Sequence, residues 1–446
     1  MTPTLALILT SIFVFTLLLI EHKENNAVSF TIWIPTIWLL YSGSKQLGSW
    51  LNIHNTIEVG SAPDRIFLIS LGLIGIFILI KRNFSWSKAL RQNWLYFVIL
   101  LYMFLSVLWS NMPGISFRRW GREPIGFIMA CLIISENNSM RAFFSSIKKV
   151  VYIAAPFSLL LIKYYPTYGR VYDGWSGELQ WVGISNQKNG LSILFAFCIF
   201  LIIWSLFEKF LNFKYLSYKL PILTDLIILF LSIYIMMGPK RSLTYSATSF
   251  FTLFTGIIII PILYSLSKHR YNLKLIATLI ILSIIIIGSL MPFFQKYPSK
   301  EFTQLLHRDS TLTGRTTIWK ALIPYTKKKI LFGYAYGGFW TTYLRENIAA
   351  HAHNGYLSTI LDLGIVGLIL YSTFIILISR KCVELIYKYS VVHILFLAMI
   401  FMFLIRNMTE ISFGTFDYFP GSLILILSFM INSSIKVENS YSLFTK

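Results

Sequence analysis

The segment 351–367, HAHNGYLSTILDLGIVG, places two histidines and an asparagine directly before an apolar helix. Asn354 is a favourable N-cap for a helix beginning at Gly355, and the unpaired N–H groups at that helix end favour a bound anion. The same field disfavours a protonated imidazole, so a histidine beside it stays neutral and able to accept a proton. We therefore expect His353 to act as a general base. The alternative, commoner for an isolated pair, is that His351 and His353 are ordinary loop histidines.

Basic residues recur in the connections between apolar segments. A guanidinium fork matches two oxygens of a phosphate group, whereas a single exposed arginine can equally contact a lipid headgroup or a loop carboxylate. Four separate clusters together favour an anionic ligand. They are Arg118, Arg119 and Arg122; Arg170 with Lys188; Lys240 with Arg241; and Arg308 with Arg315.

The sequence lacks the residue spacings that typically hold metals and cofactors. The 18 acidic residues include no Asp-X-Asp pair, and no glycine-rich phosphate loop is present. Cys131, Cys198 and Cys382 lie in or beside apolar stretches without metal-ligand spacing. The sequence therefore predicts no metal site, no cofactor and no disulfide, and a bound phosphate group would be held by arginines.

The elements that position these residues are membrane helices. The chain of 446 residues is 56% hydrophobic and 13% charged, with a mean hydropathy of +0.67, whereas soluble domains carry about 25% charged residues. A bilayer needs about 20 apolar residues per span, which predicts an all-α polytopic bundle of about 12–13 spans. The apolar stretches lie near 4–20, 27–43, 65–80, 94–110, 120–135, 147–165, 189–207, 221–238, 243–266, 272–294, 355–379, 389–406 and 416–433.

The distribution of the net charge of +21 predicts the orientation. By the positive-inside rule, the connections around residues 81–91, 141–149, 209–219, 268–274 and 380–388 are cytoplasmic. The loop 295–354 and His353 then lie on the outer side. This divides the chain into an N-terminal transmembrane bundle (1–294), a long outer loop with short helices (295–354) and C-terminal transmembrane helices (355–446). Because the basic residues are split between two faces, nucleic acid is not an expected partner.

The long loop has two recognisable parts. DSTLTGRTTIWKALIPYTKKK offers Ser/Thr caps followed by an amphipathic helix near the membrane interface. LFGYAYGGFWTTYL interleaves glycines with aromatic residues and is unsuited to a regular helix. Tyr336 and Trp340, with their aromatic neighbours, offer flat platforms for sugar rings; an aromatic belt at the membrane interface is the alternative.

Several of these segments together resemble the O-antigen ligase/polymerase superfamily, and its exopolysaccharide and O-antigen polymerase members most. The resemblance rests on RDSTLTGRTTIW, GYAYGGFW and AHNGYLSTILDLGIVG, supported by LSVLWSNMPGISFRR, VGISNQKNGLS and the KRS turn, and it covers roughly residues 95–420. It implies inverting, metal-independent glycosyltransferases acting on undecaprenyl-diphosphate-linked glycans at the periplasmic face, which makes the loop 295–354 periplasmic.

The resemblance also implies residue roles. The histidine before Asn354 maps to His353, the catalytic base, and Arg170 and Arg241 map to the diphosphate-binding arginines. The turn with Arg241 reads Pro-Lys-Arg where many members have Ser-Arg. Supporting or substrate-binding roles fall to Lys188, Asn189, Arg315, Asn354, Tyr336 and Trp340.

Three functions are compatible with this pattern. The first is a polymerase of the bacterial inner membrane, with a lipid-linked glycan donor and acceptor and a chain-length regulator as an optional partner. The second is a ligase that moves the finished glycan onto lipid A-core or protein. The third is a transporter or flippase of the lipid-linked glycan, against which the lack of internal repeats counts. The motif match favours the polymerase.

Overall fold

A computed structural model describes residues 1–53, 60–173, 177–211, 219–239, 246–268, 272–294, 314–388 and 392–433, which form a bundle of α-helices. A two-stranded antiparallel hairpin pairs β1 (Arg170–Tyr172) with β2 (Leu179–Trp181). Each of the thirteen predicted apolar stretches contains a helix. The helices are α1 (Pro3–Glu24), α2 (Trp33–Gly43), α3 (Leu47–Trp50), α4 (Ala62–Lys81), α5 (Trp86–Gln92), α6 (Trp94–Ser106), α7 (Pro113–Trp120), α8 (Glu123–Ile134), α9 (Ser139–Tyr164), α10 (Pro166–Gly169), α11 (Lys188–Leu211), α12 (Lys219–Met237), α13 (Ala247–Lys268), α14 (Leu273–Leu290), α15 (Arg315–Lys328), α16 (Thr342–Asn347), α17 (Gly355–Lys388), α18 (Val392–Asn407) and α19 (Phe419–Asn432).

The expected all-α polytopic fold is confirmed. In the described part of the chain, eight helices are long and apolar enough to cross a membrane, or nine if α5 and α6, bent by 83° where they meet, form one span with the residues that follow. The other predicted spans fall on the shorter apolar helices α2, α8, α18 and α19. Almost every residue of α18 and α19 is buried, because a helix that is apolar on all sides packs at the centre of a bundle.

Local sequence explains where several helices begin. Thr2, Ser61, Asn138 and Asn272 each precede a helix, and each side-chain oxygen accepts a hydrogen bond from the N–H three residues further on. Such caps satisfy backbone groups that have no partner within the helix.

The stretch predicted as one span from residue 355 is interrupted at Gly364, whose φ of 69° lies outside the helical region. The freed N–H groups of Ile365 and Val366 donate to the carbonyls of Ile330 and Leu331, at 2.9 and 3.3 Å. Residues 365–388 alone extend about 36 Å at 1.5 Å per residue, which is enough to cross a bilayer. The shorter half, 355–363, is thereby free to point in another direction and to carry the 351–354 turn.

A buried ionic network joins helices at the end of α11 that carries Lys209. Lys209 Nζ lies 2.7 Å from Glu24 and 2.6 Å from Asp225, and Lys148 Nζ lies 2.5 Å from Glu24. Lys149 pairs with Glu21 beside them. The opposite end of α11, at Lys188, belongs to the face of the bundle that carries His353.

Candidate active site

Asn354 fixes the turn in front of α17. Its Oδ1 accepts a hydrogen bond from Leu357 N–H at 2.8 Å, which confirms the predicted N-cap. Its Nδ2 donates to the carbonyls of Gly288, at 3.0 Å, and Met408, at 3.2 Å, and the side chain is completely buried. One amide therefore joins the start of α17, the end of α14 and the loop after α18.

We expect Asn354→Ala to lower the free energy of unfolding by about 1–3 kcal/mol, because it removes the cap and leaves two buried carbonyls without their donor. Thermal unfolding of the purified protein in detergent measures the change. Asn347→Ala is a matched control, since that asparagine is exposed and donates one bond within its own helix. Equal melting temperatures for the two variants would contradict this role for Asn354.

His353 is held in an unusual backbone conformation. Its φ is +49°, in the left-handed region that non-glycine residues rarely adopt outside functional or strained sites. Its N–H donates to Nδ1 of His351 at 3.3 Å, and the centroids of the two rings lie 3.9 Å apart. Burial and the neighbouring His353 lower the pKa of His351 to about 3, so His351 is neutral at physiological pH and works as an acceptor.

Glu410, in the loop after α18, is the partner of His353. Its Oε2 lies 3.5 Å from His353 Nδ1. Its Oε1 accepts from Asn189 Nδ2 at 2.7 Å and Arg315 Nη2 at 3.2 Å, with Arg406 Nη1 at 3.9 Å. Burial alone would raise the pKa of this carboxyl, but Arg406, His353 and Arg315 hold the pKa well below its usual range. Glu410 is therefore ionised at physiological pH.

The cluster of Arg315, Arg406, Glu410 and His353 carries surplus positive charge. Two guanidinium groups against one carboxylate leave a net charge of +1, next to a histidine that Glu410 can orient through Nδ1. Arg406 is itself fixed by Thr248 Oγ1, which accepts from its Nη1 at 2.8 Å. This arrangement suits a proton acceptor working beside a bound anion.

The sequence interpretation missed Glu410 and Arg406. The pattern RNMTE places two opposite charges four residues apart directly at the end of an apolar stretch, which is a position where ionisable residues are costly. That signal marks them as candidates. It does not identify His353 as their neighbour, because 57 residues of chain separate His353 from Glu410.

The basic residues predicted to bind or support the substrate diphosphate differ in their positions relative to the His353 cluster. Arg170 lies on β1, and its Nε donates to the carbonyl of Ile162 at 2.6 Å, so its described hydrogen bond is to α9 and not to the His353 cluster. Arg241 lies outside the described residues. Lys188 is the first residue of α11, directly before Asn189, which does reach the cluster. The roles of Arg170, Arg241 and Lys188 remain predictions.

The aromatic residues of the loop are mostly buried. The Tyr336 hydroxyl donates to Glu123, and its oxygen lies 3.0 Å from Thr415 Oγ1. Trp340 packs against Phe339, and both rings are buried. A buried ring can stack on a sugar only if the residues that cover it move away. Tyr343, by contrast, is 67% exposed. Among the described aromatic residues of this loop, Tyr343 is thus the best placed for a sugar platform.

The cluster fits a metal ion poorly. Ligand atoms of His351, His353 and Glu410 do lie within 4.8 Å of one another, a spacing that a cation can use. However, Arg315 and Arg406 approach the same carboxylate and repel a dication, and His351 Nδ1 already accepts a backbone bond. The positive charge around these ligand atoms therefore favours a bound anion over a metal ion.

We expect turnover to be unchanged after dialysis against EDTA, because the charge on a bound phosphate group is met by guanidinium groups and not by a metal ion. The measurement is the initial rate of glycan transfer before and after chelation. A rate that falls with EDTA and recovers on addition of zinc, magnesium or manganese would contradict this expectation.

The fold defines a multi-pass membrane protein with a charged cluster at the ends of its helices. Residues 227–372, including Arg315 and His353, match the O-antigen ligase family model, Wzy_C. The exopolysaccharide production protein ExoQ of Rhizobium meliloti (strain 1021) is 32% identical over 75 residues, which is 14% of this chain and 17% of that protein. No solved structure is significantly similar. The predicted resemblance to the O-antigen ligase/polymerase superfamily is confirmed.

Proposed function

We propose that the protein is a glycosyltransferase of the bacterial inner membrane that polymerises undecaprenyl-diphosphate-linked repeat units at the periplasmic face, without a metal ion and with inversion at the sugar carbon. The observation that carries the proposal is the contact between His353 and Glu410 inside a cluster of net positive charge, at the N-terminus of a helix. The family match over 227–372 supports an enzyme that acts on lipid-linked glycans, and the printed name of the relative, exopolysaccharide production protein, supports polymer synthesis.

The proposed reaction assigns a task to each group. Glu410 Oε2 lies 3.5 Å from His353 Nδ1, and a small approach during the reaction would let it accept the Nδ1–H and leave Nε2 free to take a proton. The acceptor hydroxyl gives its proton to Nε2 while its oxygen forms a bond to C1 of the donor sugar. The bond between C1 and the diphosphate oxygen breaks on the opposite face, and its electron pair leaves with the diphosphate. Attack from the opposite face inverts the configuration at C1.

The leaving diphosphate needs positive charge near the breaking bond. We assign this task to Arg241 and Arg170, following the family resemblance, with Arg406 and Arg315 supplying the surplus charge beside the base. Asn189 and Asn354 act on substrate only through the residues that they position. Lys188 adds positive charge at the start of α11.

Incubation of the purified protein with synthetic undecaprenyl-diphosphate-linked repeat units tests the proposal. We expect a ladder of products that grow by whole repeat units, with free undecaprenyl diphosphate released at each step. Products that appear only when lipid A-core or an acceptor protein is added would establish the ligase instead, which the description of the family model favours. Movement of labelled lipid across a vesicle bilayer without any new glycosidic bond would establish a transporter.

A further inference from the structure

A cleft of about 600 Å³ opens where α15 ends, lined by Trp109 and the segment 328–333. Its wall is apolar, because it is formed by Ile330, Leu331 and Phe332. These side chains are 42%, 58% and 54% exposed. Its rim is basic, because Lys327, Lys328 and Lys329 follow one another at the end of α15. We call this feature the lysine cleft. An apolar wall with a cationic rim matches an amphipathic, anionic molecule.

The lysine cleft is continuous with the lipid-facing side of the bundle. Trp109 follows α6, on which Leu101 and Leu105 are exposed, and Leu108 beside it is 82% exposed. Trp109 Nε1 donates to the carbonyl of Phe332 at 3.3 Å, and their rings lie 5.9 Å apart. The wall of the cleft is therefore continuous with the exposed apolar surface beside α6, and this continuity suits a lipid chain.

The positive charge of the rim indicates which kind of lipid headgroup the cleft would bind. Among the described residues, no carboxylate lies within ion-pair distance of Lys327, Lys328 or Lys329, and Lys329 Nζ lies 4.7 Å above the ring of Tyr334. Lysine binds phosphate oxygens as a point charge. The occupant thus carries phosphate at its headgroup.

The lysine cleft is separated from the candidate base by the length of α15. This helix begins at Arg315, which contacts Glu410, and its 14 residues extend about 20 Å to Lys328. Residues 355–363 lie beside this helix, because hydrogen bonds near both of their ends join them to it and to the segment that follows it. Trp319 Nε1 donates to the carbonyl of Ala352, and Ile365 N–H donates to the carbonyl of Ile330. A donor diphosphate bonded to the reacting sugar lies beside His353, so it cannot also occupy the cleft.

We propose that the lysine cleft binds the isoprenoid diphosphate of the acceptor, a second lipid-linked repeat unit whose outermost sugar reaches His353. The inference rests on the proposed function and makes it more specific. The span between the cleft and the base then corresponds to the few sugar rings of one repeat unit. An acceptor anchored in this way is itself lipid-linked, as a polymerase requires.

Kinetics with two forms of acceptor test the site. The first acceptor is the complete lipid-linked repeat unit, and the second is the same oligosaccharide on a short, uncharged, soluble aglycone. We expect K328Q/K329Q to raise KM for the lipid-linked acceptor tenfold or more and to leave KM for the donor and for the soluble acceptor unchanged. K320Q, which changes an exposed lysine on α15 away from the cleft, is the matched control. An equal rise for both acceptors, or no rise for either, would overturn the proposal.

Photo-crosslinking separates failure of this site from failure of the proposed function. The probe is a benzophenone-bearing isoprenyl diphosphate, applied to the full chain in nanodiscs of neutral phospholipid. We expect label on the segment 328–333 that phosphatidylglycerol in excess does not displace. Displacement by phosphatidylglycerol would assign the cleft to bulk anionic lipid. Polymer formation with label elsewhere would reject the lipid site and retain the proposed function. Label in the cleft without polymer from the wild type would retain the lipid site and reject polymerisation.

Discussion

His353→Ala is expected to lower kcat by about a hundredfold or more, the usual contribution of a positioned general base, while the lipid-linked donor still binds. The expectation depends on the position of the ring. The positive φ of His353 and the contact of its Nδ1 with Glu410 present the remaining nitrogen to a substrate at the helix N-terminus. Turnover under saturating substrate and donor affinity are measured separately.

Two other outcomes would assign His353 differently. A raised KM for the acceptor with kcat nearly unchanged would make it an acceptor-binding residue. Equal loss in His353→Ala and His351→Ala would make it a residue that only holds the loop, because His351→Ala removes the acceptor of the His353 N–H and so disturbs the turn. His351→Asn is the matched control, since asparagine can offer an acceptor in place of His351 Nδ1 and should keep most of the turnover.

Glu410→Gln is expected to lower kcat by about a hundredfold, because an amide can donate to His353 Nδ1 and so stabilise the wrong tautomer. The substitution also raises the net charge around Arg315 and Arg406 from +1 to +2. Glu410→Asp keeps the charge and should recover part of the rate. A Glu410→Gln enzyme with full activity would exclude this carboxylate from positioning the base.

Stability provides a separate readout for Glu410. Burial opposes its ionisation, but Arg406, His353 and Arg315 together lower its pKa. A depressed folded pKa means that its contribution to the free energy of unfolding is complete above the pKa of an unfolded glutamate and is lost as the pH falls through the folded value. The stability difference between wild type and Glu410→Gln should therefore be constant through neutral pH and shrink in strong acid.

Local features were predictable from the sequence. The cap at Asn354 depends on residues within one helical turn, and the glycine-rich stretch after α15 forms turns because its backbone does not favour a helix. The amphipathic helix of the loop is present as Arg315–Lys328. Its N-cap residue is Gly314, with a φ of 80°, where serine or threonine had been expected.

Distant contacts were not predictable in this way. The interruption at Gly364 occurs inside a stretch that the sequence predicts as one span, and it is stabilised by carbonyls of residues 330 and 331. Likewise, Asn189 and Glu410 are 221 residues apart, and only the packing of α11 against its neighbours brings them to 2.7 Å. Periodicity and spacing report on neighbours along one helix, and a site assembled from four helix ends requires the tertiary fold.

The buried pairing of Glu21 and Glu24 with three lysines has a consequence for biogenesis. Their cationic partners lie on α9 and α11, so they are translated well over a hundred residues after α1. While the ribosome is still making α2 to α8, the end of α1 carries two carboxylates with no counter-ion from this network, and these must stay near water. Arrival of Lys148, Lys149 and Lys209 lets α1 dock, and Asp225 on α12 completes the charge balance. The end of α1 therefore reaches its final position only after α9 and α11 have been made.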